Sequence, residues 1–261
     1  MRAGNQAFDL DGDGAVGVVL LHGFTGSPYE VRYLGERLAA AGFPVAAPLL
    51  PGHGTRIEDL DGTRWEDWVD HVERAADGMG RRCDRVAIVG QSLGGLLALY
   101  IASRRTALTC VASLAAPLWL DGLPGRVAGW AHRRSGRPDL PIKAIPKFGG
   151  SDVLDPISKA ENPCYPAIPI KALAQLVAFM TVVDASLSKV TQPTLVLHAR
   201  QDHTAPVACA ARIAEATRAK RMRILPRSYH LIAVDVERDI VAAEVIDFVR
   251  RYSVKGLSCA T

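Results

Sequence analysis

Residues 85–103, RVAIVGQSLGGLLALYIAS, join an apolar run to a helix-like run through Gly90, Gly94 and Gly95, with one serine between them. The first run does not alternate between apolar and polar residues, so a strand there must be covered on both faces. That requirement excludes a sheet with one face in water. It calls for a parallel sheet flanked by helices on both sides.

Other segments obey the same rule. Val16–Leu21, Pro44–Pro48, Thr109–Leu114, Thr194–His198 and Met222–Leu225 read as further strands beside Arg85–Val89, with a weaker one near Gln6–Leu10. Helical patterns at Pro28–Ala41, Thr63–Gly78, Gly95–Ala102, Ala205–Thr217 and Val236–Tyr252 lie between or after them. The rhythm stops after Pro117 and resumes near Pro193, and nine of the sixteen prolines fall between Pro117 and Pro169. Residues 1–116 and 191–261 are therefore expected to form the core domain, with 117–190 inserted as a small helical cap. Within the insertion, Arg126–Arg134 and Lys171–Leu187 read as helices. GRPDLPIKAIP and ENPCYPAIP read as loops unable to continue a strand or helix.

Gly90-Gln91-Ser92-Leu93-Gly94 has the G-x-S-x-G form, in which small neighbours let a strained strand-to-helix turn lift a hydroxyl clear of the sheet. A serine hydroxyl is a weak nucleophile until an imidazole takes its proton, and the imidazole needs a carboxylate to fix its tautomer. Asp202 in RQDHTAP and His230 in RSYHLIAVD follow two strands, at the carboxyl ends where open α/β sheets build sites. Asp184 is the rival acid but falls inside a helix of the insertion, and His203 is the rival base but adjoins Asp202. A developing oxyanion needs two backbone N–H groups. Leu93 follows the serine at a helix start, and Phe24 lies in the glycine-bearing turn HGFTG after an early strand.

Taken in order, LLHGFTGSP, PLLPGHG, VGQSLGG, ARQDHTAP and SYHLIAVDVERD resemble the landmarks of the α/β-hydrolases, within them the bacterial carboxylesterase and monoacylglycerol lipase group. The resemblance spans nearly all of the chain outside the insertion. It implies the α/β-hydrolase fold, with Ser92 as nucleophile, His230 as base, Asp202 as orienting acid, and Phe24 and Leu93 as oxyanion donors. It also implies that the insertion covers an acyl pocket. Two positions depart from the pattern: Gln91 stands where an apolar residue or histidine is common, and Tyr229 where glycine is. Both are expected to crowd or polarise the pocket.

The expected activity is hydrolysis of short- to medium-chain acyl esters, monoacylglycerols included, through an acyl-enzyme on Ser92. Because the base must be neutral, kcat/KM should rise through an apparent pKa of about 6 to 7. A thioesterase, amidase, C–C hydrolase or perhydrolase would use the same three residues. A hydrolase-fold ligand-binding protein with vestigial activity is the alternative from another class.

The remaining features bound the partners. The net charge of +4, from 31 basic and 27 acidic side chains, is far short of a nucleic-acid footprint. No metal-ligand spacing occurs, so neither metal nor other cofactor is expected. His22 and His53 read as hydrogen-bonded structural histidines, and Trp65 with Trp68 as helix packing. Arg126, Arg133, Arg134 and Arg137 read as a solvated face. Cys83, Cys110, Cys164, Cys209 and Cys259 are odd in number and widely spaced, as in a reduced cytoplasmic protein. The acidic opening MRAGNQAFDLDGDGAVG is unlike an export signal, and no apolar run looks long enough to span a membrane, so stable membrane insertion is not expected.

Overall fold

The computed structural model of the chain describes residues 4–121, 125, 126, 129, 130, 133 and 143–253. Seven strands form the main sheet: β1 (Phe8–Leu10), β2 (Val16–Leu21), β3 (Val45–Ala47), β4 (Arg85–Gln91), β5 (Leu108–Leu114), β8 (Thr194–Ala199) and β9 (Arg221–Leu225). Their order is β1-β3-β2-β4-β5-β8-β9. β1 pairs antiparallel with β3 at one edge, and all other neighbours are parallel. This is the mostly parallel sheet expected from the sequence.

The apolar strands divide their side chains between two cores. Val18 and Leu20 of β2 join Val31, Leu34 and Leu38 of helix α1 (Tyr29–Ala40) and Val241, Val245 and Phe248 of α8 (Arg238–Ser253). Val19 and Leu21 point the other way, joining Trp68, Val72 and Met79 of α3 (Trp65–Arg82) and the buried stripe of α4 (Leu93–Arg104). Both directions along a strand end in apolar packing, which is why no polar alternation was available to read. Helix α7 (Ala208–Ala216) covers the same face as α3 and α4.

β4 runs to Gln91 and α4 begins at Leu93, so the turn between them is Ser92 alone. Gly94, expected in the turn, belongs with Gly95 to the first turn of the helix. A short helix α2 (Ile57–Asp61) precedes α3 and was not expected.

Between β5 and β8 the chain forms β6 (Ala144–Pro146), α5 (Pro156–Glu161), β7 (Ala167–Pro169) and α6 (Ile170–Ser186). Here the expectation of proline loops holds for residues 162–166 and fails for the ends of both segments, because β6 and β7 pair as an antiparallel ladder, while residues 136–142 lie outside the described residues. The bonds from Lys147 N–H to Pro166 O and from Ile170 N–H to Lys143 O, both 2.9 Å, fix which positions carry ladder bonds. Pro146 and Pro169 fall on the alternate positions, where no N–H is needed. Asp155 starts α5 by accepting from Ser158 N–H at 2.7 Å, with Pro156 following it.

Helix α6 lies against α3 and α4, with Phe179 fully buried between the rings of Trp65 (5.3 Å, stacked) and Tyr100 (5.4 Å, edge-on). Residues 170–189 are long and apolar enough to cross a membrane, contrary to the sequence expectation, but more than half of that stretch is buried within the molecule. Of the expected helix Arg126–Arg134, residues 126, 129, 130 and 133 are helical, and Arg126 and Arg133 are exposed. Arg134, Arg137 and Cys259 lie outside the described residues.

Candidate active site

Ser92 has φ 56° and ψ −117°, a conformation that costs a side-chain-bearing residue about 1–3 kcal/mol and persists only where the surroundings enforce it. Its N–H donates to Leu114 O at 2.8 Å, while its carbonyl accepts from Gly95 N–H and Leu96 N–H at 2.9 and 3.1 Å. A Cβ on Gly90 would lie 2.0 Å from Gly94 O, and one on Gly94 would lie 2.4 Å from Leu21 O. The turn closes because those two residues have none.

Above this turn three distant side chains meet. Ser92 Oγ lies 2.8 Å from His230 Nε2, and His230 Nδ1 lies 2.8 Å from Asp202 Oδ2. Asp202 follows β8 and His230 follows β9. The other oxygen of Asp202 accepts from Thr204 N–H (2.8 Å) and Ala205 N–H (2.7 Å). A second imidazole, His198 Nε2, stands 3.2 Å from Asp202 Oδ2 and also donates to Ala205 O at 3.1 Å. An ionised carboxylate accepts only, so His230 Nδ1 carries the proton and Nε2 presents its lone pair to the serine hydroxyl.

The charges follow from this arrangement. Burial alone would raise the Asp202 pKa, but His230 and His198 outweigh it and hold the carboxyl well below the usual carboxylate range. Burial alone would lower the His230 pKa, but the charge and hydrogen bond of Asp202 outweigh it, so His230 binds its proton more tightly than free imidazole. The rise in kcat/KM is therefore expected above the ordinary histidine value rather than centred on it.

The turn after β2 lies against Ser92: a Cβ on Gly23 would be 3.3 Å from the Ser92 Cβ. His22 organises this turn. Its Nε2 accepts from Leu50 N–H at 3.1 Å, so Nδ1 bears the hydrogen and donates to Gly23 O at 2.9 Å. Burial and the neighbouring His53 keep His22 neutral, as an accepting Nε2 requires. Gly23 O also accepts from Gly26 N–H at 3.2 Å. In a trans peptide the next N–H points opposite the carbonyl, so Phe24 N–H is turned away from His22 and Gly26. Leu93, buried, follows Ser92 as the first residue of α4.

The other sequence candidates have different surroundings. Asp184 is on α6, paired with Arg212 at 2.9 Å. His203 faces the cavity beside Tyr229, ring centres 4.5 Å apart, but its Nδ1 is taken by Asp152 at 2.8 Å. His53 is buried, its pKa pushed down to about 4 by that burial, with Nδ1 donating to Pro51 O. Gln91 does not enter the pocket, contrary to expectation. Its Nε2 donates to His230 O at 2.9 Å and its Oε1 accepts from Ala233 N–H at 3.2 Å, so it fastens the loop that carries His230.

A cavity of about 550 Å³ opens over Ser92. Pro117, Leu120, Ile168, Leu173 and Leu176 give it an apolar lining, and Glu30, Lys147, Asp152, Lys159 and His203 a polar one. The sequence reading missed Glu30, Lys147, Asp152 and His198. Only Glu30 left a signal: it shares the apolar stripe of α1 with Leu34 and Leu38 at four-residue spacing, an unusual place for a carboxylate. Among the described residues, no three His, Cys, Asp or Glu side chains gather into a metal-binding set.

Residues 18–244 match the profile of the alpha/beta hydrolase family. The chain is 31% identical over 245 residues to a thermostable monoacylglycerol lipase of Bacillus sp. (strain H-257), covering 92% of this chain and 93% of that one. It is 29% identical over 241 residues to a carboxylesterase of Bacillus subtilis (strain 168), covering 90% and 92%. A solved structure from work on LipS and LipT, two metagenome-derived lipolytic enzymes, superposes with a TM-score of 0.86 at 28% identity, covering 95% of this chain and 98% of that one.

Proposed function

This chain belongs to the alpha/beta hydrolase family, as a serine hydrolase similar to esterases and lipases, and on that premise we propose that it cleaves short- to medium-chain acyl esters, monoacylglycerols among them. Ser92 is the nucleophile. His230 Nε2 takes the hydroxyl proton as the oxygen attacks the ester carbonyl, and Asp202 steadies the imidazolium that results. Phe24 and Leu93 N–H groups hold the oxyanion of the tetrahedral intermediate. His230 then returns the proton to the leaving alcohol, and a water, activated by the same imidazole, releases the acid from Ser92.

The observation that carries this reading is the run of two 2.8 Å contacts from Asp202 through His230 to Ser92, beneath a largely apolar cavity. A cavity of this volume lies within the ordinary range for small-molecule sites. Residues 117–190 are read as its cap, since Leu173 and Leu176 of α6 line it while Phe179 of the same helix anchors to α3 and α4. Assignment to the cytoplasm rests on the odd, dispersed cysteines.

Hydrolysis of p-nitrophenyl esters from acetate to palmitate, with monoacylglycerols in parallel and Ser92→Ala as control, tests the reading. The expected result is a maximum at intermediate chain length that vanishes in the alanine variant. Activity confined to amides or thioesters, or equal rates in the two proteins, contradicts it.

A further inference from the structure

Helix α1 places Glu30 in its first turn, 3% exposed, on the face that carries Val31, Leu34 and Leu38 into the core. Burial raises its pKa, against the opposing effects of the Gly23 amide, Lys147 and Asn162. A carboxylate in such a place costs stability unless well partnered, so its contacts are informative.

Those contacts are with the turn beside Ser92. Gly23 N–H donates to Glu30 Oε2 at 2.9 Å. A Cβ on Gly26 would lie 2.1–2.4 Å from the carboxylate atoms, and one on Gly23 would lie 2.9 Å from Oε2. The turn is thus wrapped directly onto the carboxylate. It does not hold that shape by preference: Thr25, β-branched and 1% exposed, sits at φ 62°. From the stretch between β5 and β8, Lys147 Nζ donates to Thr25 Oγ1 and Tyr165 N–H donates to Thr25 O at 2.9 Å. Gly23 is therefore gripped at both ends, its N–H by Glu30 and its carbonyl by His22 and Gly26.

We propose that Glu30 is a positioning residue for ester cleavage, its carboxylate holding the strained Gly23–Gly26 turn in the shape that presents Phe24 N–H to the tetrahedral oxygen. The inference rests on the reading of Ser92 as nucleophile and adds what keeps its oxyanion donor aimed. Glu30 faces Lys147 and His230, and His230 in turn faces Asp202, Asp152 and Glu30. An ionised Glu30 strengthens the hold of His230 on its proton, so removing that charge moves the acid limb of kcat/KM to lower pH.

The test uses the full chain with Glu30→Gln and Glu30→Ala, each checked for its melting temperature, on p-nitrophenyl butyrate. Loss of one oxyanion donor sets the ceiling at about 10²- to 10³-fold in kcat, so Ala should cost about a hundredfold and Gln, which keeps an accepting oxygen, about tenfold. KM should stay within about twofold, because the donor acts on the transition state. The inhibition constant of an alkyl trifluoromethyl ketone, whose serine adduct carries an oxyanion, should rise in step with the loss in kcat/KM. The acid limb of the Gln variant should shift to lower pH. If the alanine variant does not fold, the isosteric Gln carries the test by itself. Glu30→Gln with wild-type kcat, ketone inhibition and acid limb overturns the inference while leaving the esterase reading intact. Failure of a phosphonate to label Ser92 in the wild-type protein would instead remove the reading beneath it.

Discussion

The loops that follow β4, β8 and β9 and the stretch between β5 and β8 face each other across one cavity, yet they hold their shapes by different means. On the first side the functional atoms are held from several directions. Asp202 accepts two backbone N–H groups besides its imidazoles, and Gln91 ties His230 O and Ala233 N–H to the end of β4. Asp235, fully buried, accepts from Tyr229 N–H at 2.7 Å and fixes the start of the same loop. On the other side the chain folds as a three-residue ladder, a six-residue helix capped by Asp155 and one apolar helix, and leaves Phe148 92% exposed. Proton transfer tolerates little displacement, whereas enclosing an alkyl chain asks only for apolar volume. The two sides are joined at Asp235, which also accepts from Leu154 N–H and Asp155 N–H.

If this contrast is right, changes on the first side should act on kcat and changes on the second on substrate choice. Ser92→Ala should fold normally and lose on the order of a thousandfold or more in kcat/KM, about 4 kcal/mol of transition-state stabilisation. Steady-state kinetics beside a thermal melt check it. Asp202→Asn should cost up to about ten-thousandfold by permitting the wrong His230 tautomer. It should also reveal the sign of the coupling. In the wild-type protein Asp202 raises the His230 pKa, so kcat/KM climbs with a midpoint above the ordinary histidine value, and in the asparagine variant the midpoint should fall. A pH–rate profile of both proteins decides this.

Smaller effects sharpen the boundary. Gln91→Leu leaves the buried Ala233 N–H without its acceptor, worth about 1–3 kcal/mol, and leaves His230 O with Ile232 N–H alone, so it should lower both the melting temperature and kcat, the latter about tenfold. Leu176→Trp fills part of the apolar lining and should leave acetate hydrolysis nearly unchanged while costing the longer esters about tenfold. A uniform loss across chain lengths in Leu176→Trp would erase the distinction between the two sides.

The same contrast explains what could be read from the sequence. The parallel sheet was legible because strands buried on both faces leave unbroken apolar runs, as at Val16–Leu21, and the turn at Ser92 because only glycine fits beside it. Ser92, Asp202 and His230 could be picked out as candidates because each follows a strand in a local pattern of its own. The β6–β7 ladder was hidden because its prolines sit at the positions where a missing N–H is harmless, which local composition does not reveal. Lys147, Asp152 and His198 are ordinary in their local context, and only the fold brings them to the site. Gln91 was misjudged for a related reason: its departure from the residue common at that position suggested a pocket residue, whereas its amide is spent on a loop 139 residues away.

The central claim, that Ser92 is activated by an imidazole held by Asp202, is tested most directly by the pH dependence of its covalent labelling. A p-nitrophenyl alkyl phosphonate should add once, on Ser92 by peptide mass spectrometry, at a rate that rises with pH along the same curve as kcat/KM. An active, folded enzyme that remains unlabelled at Ser92, or a labelling rate indifferent to the titration of His230, would contradict it.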